Sequence, residues 1–174
     1  TTFKREDAVL ASVARFKDFM KKTPLATHMH MLVVDNGKSV EIAPSPHITL
    51  IENENLGGSG GFARGLLEAE ALSATHCLFM DDDASVHMDA LERVWVFLAY
   101  SLAPNTAVAG GLLSAQHRWA IWESGAIFDR VCRPLFMGTD LRDIEQVVKM
   151  EHQSTPKAPF NLYGGWWFFA FPIS

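Results

Sequence analysis

The sequence predicts an α/β fold in which a largely parallel sheet is flanked by helices. Three observations predict it. Short apolar runs bounded by turn residues alternate with segments of helical periodicity. A glycine-rich stretch, "NENLGGSGGFARG", opens one of those helical segments, and the apolar run "HCLFM" stops abruptly at Asp81, Asp82 and Asp83. Strand and helix in alternation are the signature of a sheet whose parallel strands are joined by helical crossovers.

Taken in order, Glu6 to Lys22 carries Val9, Leu10, Val13, Phe16 and Met20 at helical spacing, with Glu6 and Asp7 suited to the first-turn dipole. "MHMLVV" (29–34) reads as a buried strand ending at the turn-rich "DNGKS". "PSPHITLIENENLGG" places a short strand over Ile48 to Glu52, and a second helix runs from Gly60 to Thr75 with Phe62, Leu66, Leu67 and Leu72. "HCLFM" is the third strand and "MDALERVWVFLAYSL" the third amphipathic helix. After Pro104 the rhythm changes, which divides the chain into halves 1–103 and 104–174. "TAVAGGLLS" reads as a strand, and "RWAIWESGAIFDR" as strands or a hairpin with its glycine at the bend. Residues 133–161 form a Pro- and charge-rich excursion, expected to be irregular and mobile, which leads into the aromatic strand of "LYGGWWFFAFP".

With 174 residues, 48% of them hydrophobic, the chain is long enough for one domain with a substantial core. A net charge of -5 without a basic run excludes a general nucleic-acid binder, though not a nucleotide ligand. Cys77 and Cys132 lie far apart and fit no metal spacing, as expected of reduced thiols in a cytoplasmic protein. No apolar run reaches the roughly 18 residues of a membrane span, so a membrane is expected only as a peripheral contact at its inner face. The chain opens on "TTFKRED" and closes on the apolar "GWWFFAFPIS", and both ends read as cut from something larger. The seven histidines show no mutual spacing that suggests a ligand pair.

Two stretches carry chemistry. Carboxylates about 6 Å apart repel by roughly 3 kcal/mol at an effective dielectric near 20, so the acid triplet needs positive charge nearby. One reading is a solvated turn capping the next helix. The other places the acids at the carboxyl end of a parallel strand, where open α/β sheets bind ligands. In extended backbone Asp81 and Asp83 then share a face, a spacing suited to a divalent cation. The glycine stretch contains Gly58-x-Gly60-x-x-Ala63, which matches a dinucleotide fingerprint and makes an NAD-binding oxidoreductase a rival. Three acids where one is usual, Asn53 and Asn55 at the start of the loop, and a complete strand and helix before it weigh against that rival. The same loop, with Asn55, Gly57 and Gly58, lets backbone approach a phosphate or sugar, because glycine has no Cβ. Arg64 then pairs with a pyrophosphate or with an acid of the triplet.

With "TTFKRED", "VVDNG", "ENENLGGSGGFARG", "LFMDDDA", "WESGAIFDR" and "YGGWW" in this order, nearly the whole chain resembles the inverting family 2 glycosyltransferases, and most nearly the bacterial galactofuranosyltransferases. The resemblance implies the GT-A fold, a Rossmann-like mixed sheet, largely parallel and flanked by helices. It implies transfer of a sugar, galactofuranose or rhamnose, from a nucleotide diphosphate, UDP-linked by preference, to a glycan or lipid-linked acceptor. Thr2, Phe3 and Arg5 match the loop that touches base and ribose, and Asp35 matches the acid that recognises uracil. Asp81 and Asp83 match the acids that bind Mn²⁺ or Mg²⁺, and Asp82 faces the donor's sugar or ribose. Glu123 matches an acid near the acceptor, and Tyr163, Trp166 and Trp167 match the aromatic corner where the sugars stack. The resemblance also implies a first strand before Thr1, and a catalytic Asp and a metal-binding His beyond Ser174. Gly164 stands where the galactofuranosyltransferases carry Asn, which leaves the sugar open. A sugar-binding module without catalysis, for which "YGGWWFF" suffices, is the rival from another class.

Overall fold

The computed structural model describes residues 1–153 and 162–173. The chain divides into two compact units, Thr1–Ala107 with Ala170–Ser174, and Val108–Phe169.

Unit 1 starts with helix α1 (Glu6–Met20), whose residues Val9, Val13, Phe16 and Met20 recur every three or four positions and are all buried. After a 3-10 turn at Ala26–His28 come strands β1 (Met31–Asp35) and β2 (Ile48–Glu52), paired in parallel with Met31 opposite Ile48 and Asp35 opposite Glu52. Val33, Val40 and Ile48 close the core against α1. Thr2 adds a single parallel bridge to Asp35 on the other edge of β1, where its N–H donates to Val34 O at 2.9 Å.

Helix α2 (Gly57–Ala71) begins three residues earlier than its apolar pattern predicts, so the glycine run is the helix's first turn and not a loop ahead of it. Gly57, at φ +72°, turns the chain into the helix, a conformation that favours glycine. A Cβ on Gly61 would collide with Thr1 Oγ1, so the small residue lets α2 lie close to the amino-terminal residues. The inward face of α2 is Gly61, Phe62 and Ala69, whereas Leu67 and Leu72, expected in the core, are mostly exposed. Gly65 lies against Val34 of β1, where close approach of helix to strand excludes bulk, while Phe62 packs on the Phe79 ring at 4.7 Å.

Strand β3 (His76–Phe79) is half-buried, with His76 exposed. Helix α3 (Asp89–Ala99) follows, held by Thr23 Oγ1 donating to Glu92 at 2.6 Å and by the His28 and Trp95 rings at 5.6 Å.

Unit 2 holds the short strands β4 (Val108–Ala109) and β5 (Leu112–Leu113), then β6 (Ile121–Glu123), β7 (Ala126–Asp129) and β8 (Val131–Pro134). Helix α4 (Ile144–Gln153) and strand β9 (Leu162–Tyr163) complete it. β5 and β6 pair antiparallel, and β7 pairs antiparallel with both β8 and β9 around a fully buried Ala126. Gly125, at φ +80°, separates β6 from β7, and the hairpin bend falls instead at Arg130, φ +61°. α4 lies within the stretch expected to be irregular, and residues 154–161 of that stretch lie outside the described residues. The last strand, β10 (Phe169–Pro172), hydrogen-bonds along β3, with the Phe79 and Phe171 rings edge to face at 5.0 Å. The sheets are therefore mixed, with β1 and β2 parallel and the ribbons of unit 2 antiparallel.

Candidate functional site

The acid triplet lies just beyond β3, as the sequence predicts, and its compensating charge is Arg5. One guanidinium nitrogen, Nη1, donates to Asp82 Oδ1 at 3.0 Å and to Asp83 Oδ2 at 2.7 Å. The alternation expected of an extended chain stops at Asp81, because Asp82 and Asp83 occupy a turn, and so Asp82 and Asp83 meet the same partner. The hydrogen bond to Asp83 and the charge of Asp82 hold the Arg5 guanidinium above its usual range. Asp82 is largely enclosed, its side chain 12% exposed, while Asp83 at 65% and Arg5 at 53% face solvent. The Asp81 carboxylate takes no hydrogen bond or ion pair from the described residues. Partial burial, then the neighbouring charge of Asp83, pushes its carboxyl above the ordinary aspartate range.

Asp35 is fully buried and its carboxylate is spoken for by its own loop. Oδ1 accepts the Gly37 N–H at 2.8 Å, and Oδ2 accepts those of Ser39 and Val40, both at 2.7 Å. The three bonds hold residues 37–40 over Asp35, whose buried carboxylate would otherwise lack donors. Next to it, Asn36 donates to Gly57 O at 3.3 Å and to Thr1 Oγ1 at 3.4 Å, and accepts from Asn53 Nδ2 at 2.8 Å. Asn36 and Asn53 thus tie the start of α2 to the end of β1 and to Thr1. Neither was among the sequence candidates; the signal was the recurrence of Asn beside the glycine run. Asn55 caps the turn by accepting the Gly57 N–H at 3.2 Å, and Gly58 opens onto free space.

Thr2, Arg5, Asp35 and the triplet are therefore assembled within unit 1. Thr2 Oγ1 is buried without a hydrogen-bond partner among the described residues, and Phe3 is half-exposed with Lys4 Nζ 5.3 Å from its ring centre. Arg64 is not brought to the acids; it donates along its own helix to Glu68, at 2.9 Å from Nε and 2.5 Å from Nη2. The acceptor-side candidates all belong to unit 2. Glu123 sits on β6 opposite Leu112, its carboxyl raised by burial. Tyr163 sits on β9 opposite Ala126. Trp167 donates its Nε1–H to Gly110 O at 3.0 Å and covers Gly165, so its ring is anchored, while Trp166 is 38% exposed.

Unit 1 also contains a cavity of about 770 Å³ between β1 and β3, walled by apolar side chains, with Asp81, Asp82, Thr1 and Thr2 among its lining. Among the described residues no group of three or more His, Cys, Asp and Glu side chains is arranged to hold a metal ion, and no helix is long and apolar enough to cross a membrane.

Sequence comparison gives this geometry a context. Over 133 residues, 69% of this chain and 20% of the relative, the chain is 31% identical to the galactofuranosyltransferase GlfT2 of Mycobacterium tuberculosis. The chain is related to glycosyltransferases. GlfT2 of Mycolicibacterium smegmatis is 34% identical over 86 residues, 48% of this chain and 13% of that protein. GlfT1 of the same organism is 42% identical over 60 residues, 31% of this chain and 20% of that protein. The chain thus spans a fifth or less of the length of these curated relatives. No protein-family model matches it.

Proposed function

We propose that this chain is the core of a metal-dependent inverting glycosyltransferase of GT-A type, which moves a sugar from a nucleotide diphosphate donor to a glycan or lipid-linked acceptor. Galactofuranose on UDP is the first donor to test and rhamnose on a nucleotide diphosphate the second. The observation that carries the reading is the acid triplet beyond β3, two of whose carboxylates, Asp82 and Asp83, are held by a single guanidinium from the amino-terminal loop. The relationship to galactofuranosyltransferases supports sugar transfer as the chemistry.

The residues fit a hard divalent cation in donor chemistry. Asp82 and Asp83 share one guanidinium, and Asp81 takes no hydrogen bond or ion pair among the described residues, so the turn offers oxygen ligands and more carboxylates than Arg5 pairs with. Asp81 and Asp83 would hold Mn²⁺ or Mg²⁺ together with oxygens of the donor's diphosphate. When bound, the cation supplies positive charge to the departing diphosphate. The remaining roles fall to this chain's own side chains. Arg5 exchanges its carboxylate partners for phosphate oxygens, and Asp82, enclosed beside it, accepts hydroxyl hydrogen bonds from ribose or sugar. The open backbone at Gly57 and Gly58 admits the donor without Cβ obstruction. Asp35 acts by shaping the loop of residues 36–40. Glu123, Tyr163, Trp166 and Trp167 serve the acceptor, the aromatic faces suiting the apolar faces of sugars.

The test is thermal melting of the protein with UDP, with Mn²⁺, and with both. A rise in melting temperature that requires UDP and Mn²⁺ together is expected, as linkage demands of a ligand that binds only the folded state. Stabilisation by NAD without metal, and none by UDP with Mn²⁺, would overturn the proposal in favour of a dinucleotide-binding oxidoreductase.

A further inference from the structure

We infer that Arg5 is a built-in gate on the acid turn: its guanidinium competes with a divalent cation for Asp83, so that the cation and a nucleotide diphosphate each bind well only in the presence of the other. The inference concerns the regulation of the proposed donor site and rests on the transferase reading, which supplies both ligands.

The gate is a side chain on fixed backbone. On one side of Arg5, Thr2 is tied to β1, its N–H donating to Val34 O and its O accepting the Asn36 N–H, both at 2.9 Å. On the other side, Arg5 O accepts the Val9 N–H at 3.2 Å in the first turn of α1. Lys4 lies between these anchors at φ +53°, a conformation uncommon for a residue with a Cβ. The acid turn is fixed in the same way. Asp81 O accepts the Ala84 N–H at 3.4 Å, and Arg15 of α1 donates from Nη1 to Ser85 Oγ at 2.9 Å and from Nη2 to Ser12 Oγ at 3.0 Å. Met88, a little further on, packs against the core cluster of α1. Two anchored backbones leave the Arg5 side chain, 53% exposed, as the part free to move.

The hydrogen bonds of Arg5 suit a gate that opens. Only Nη1 is spent, shared between Asp82 Oδ1 and Asp83 Oδ2, while Nε and Nη2 donate to no described residue. The edge of the guanidinium that grips a phosphate with two parallel bonds is therefore open. An exposed clamp made through one nitrogen is weak, so a diphosphate can draw it away. Until then it sets a positive charge 2.7 Å from Asp83 Oδ2, on a carboxylate that a cation would share, and two cations on one carboxylate repel. Asp81 alone is a poor seat for a hard cation, which takes several oxygen ligands. Transfer of Arg5 from Asp83 to the diphosphate frees a second carboxylate just as phosphate oxygens arrive. Such coupling is reciprocal, so the cation strengthens nucleotide binding by the same factor.

The test measures free Mn²⁺ by electron paramagnetic resonance in titrations of the parent, Arg5→Gln and Arg5→Lys, each without UDP and with UDP in excess. Without UDP, Arg5→Gln is expected to bind Mn²⁺ about fivefold more tightly than the parent, the scale of one or two exposed ion pairs. The factor by which UDP tightens Mn²⁺ binding should shrink in proportion, because the glutamine has no gate to relieve. Arg5→Lys keeps the positive charge and should stay closer to the parent. If UDP tightens Mn²⁺ equally in the parent and in Arg5→Gln, and the two bind Mn²⁺ equally without it, the gate is overturned and the transferase reading stands. A lysine variant as tight as the glutamine one also overturns the gate, since it acts through charge. A parent that binds no Mn²⁺ with UDP or without it overturns the gate and the metal-dependent reading together.

Discussion

Arg5 and Asp83, 78 positions apart in sequence, are joined by a 2.7 Å hydrogen bond that also places the guanidinium 3.0 Å from Asp82. An exposed ion pair of this kind adds little to folding, since solvent screens it and long side chains lose entropy to form it. Its value is as a counter-charge. Replacing Arg5 with Ala is expected to leave the melting temperature of the ligand-free protein nearly unchanged while abolishing most of the stabilisation by UDP with Mn²⁺. A melt of both proteins, each with and without the pair of ligands, checks this; a large loss of ligand-free stability would show that Arg5 is structural.

Asp81→Asn with Asp83→Asn removes two charges from a turn that carries more negative charge than its one guanidinium offsets. The ligand-free double variant should be no less stable than the parent, because like-charge repulsion is relieved. Its response to Mn²⁺ in the presence of UDP should vanish. Titration calorimetry with Mn²⁺ reads the second effect directly, and an unchanged isotherm would remove the metal from Asp81 and Asp83.

Asp35→Ala strands three backbone donors, those of Gly37, Ser39 and Val40, beside a buried site. Each unsatisfied buried donor costs about 1–3 kcal/mol, and since the loop can partly open to water the net loss is expected at about 2–4 kcal/mol. Urea unfolding measures it. A variant within about 0.5 kcal/mol of the parent, the size of a neutral surface change, would mean that the loop holds itself without Asp35.

Gly165→Ala places a methyl group into the Trp167 ring, which is fixed by its hydrogen bond to Gly110 O. Overpacking of this kind costs about 1–3 kcal/mol. Trp fluorescence should shift with it, since Trp167 must leave its site. Unaltered emission together with unaltered stability would show that the ring moves freely.

Arg142 holds the Asp140 carboxyl down to about 2 through hydrogen bonds from Nε, Nη2 and its own backbone N–H. A folded value below the unfolded one means that the contribution of this clamp is complete above roughly pH 4 and is lost as pH falls through about 2. The Asp140 carboxyl resonance followed by NMR should titrate near that lower value, and in Arg142→Ala it should return toward the usual aspartate range.

Much of this was legible in the chain. The periodicity of Val9, Val13, Phe16 and Met20 located α1 and its buried face, because helical spacing is a local property. The greasy run ending in three acids located the turn beyond β3, and electrostatics alone required a positive group beside it. Other features were not legible. Leu67 and Leu72 of α2 face outward while Gly61 and Ala69 face inward, since hydrophobicity alone does not record how closely a helix must approach a strand. Asp35 reads as an exposed acid at a strand tip, and only the return of residues 37–40 over it shows a carboxylate holding backbone.

What the sequence by itself determined is the local order of elements and the chemical classes present: an acid triplet, a glycine-rich helix start and an aromatic pair. Tertiary structure alone decided which of these meet. It set Arg5 against Asp82 and Asp83, turned Arg64 to Glu68, and left β1 and β3 facing one another across a cavity. The reason is physical: spacing along a chain fixes what lies within one turn of helix or one strand, whereas partners far apart in sequence are chosen by packing and by which charges remain uncompensated.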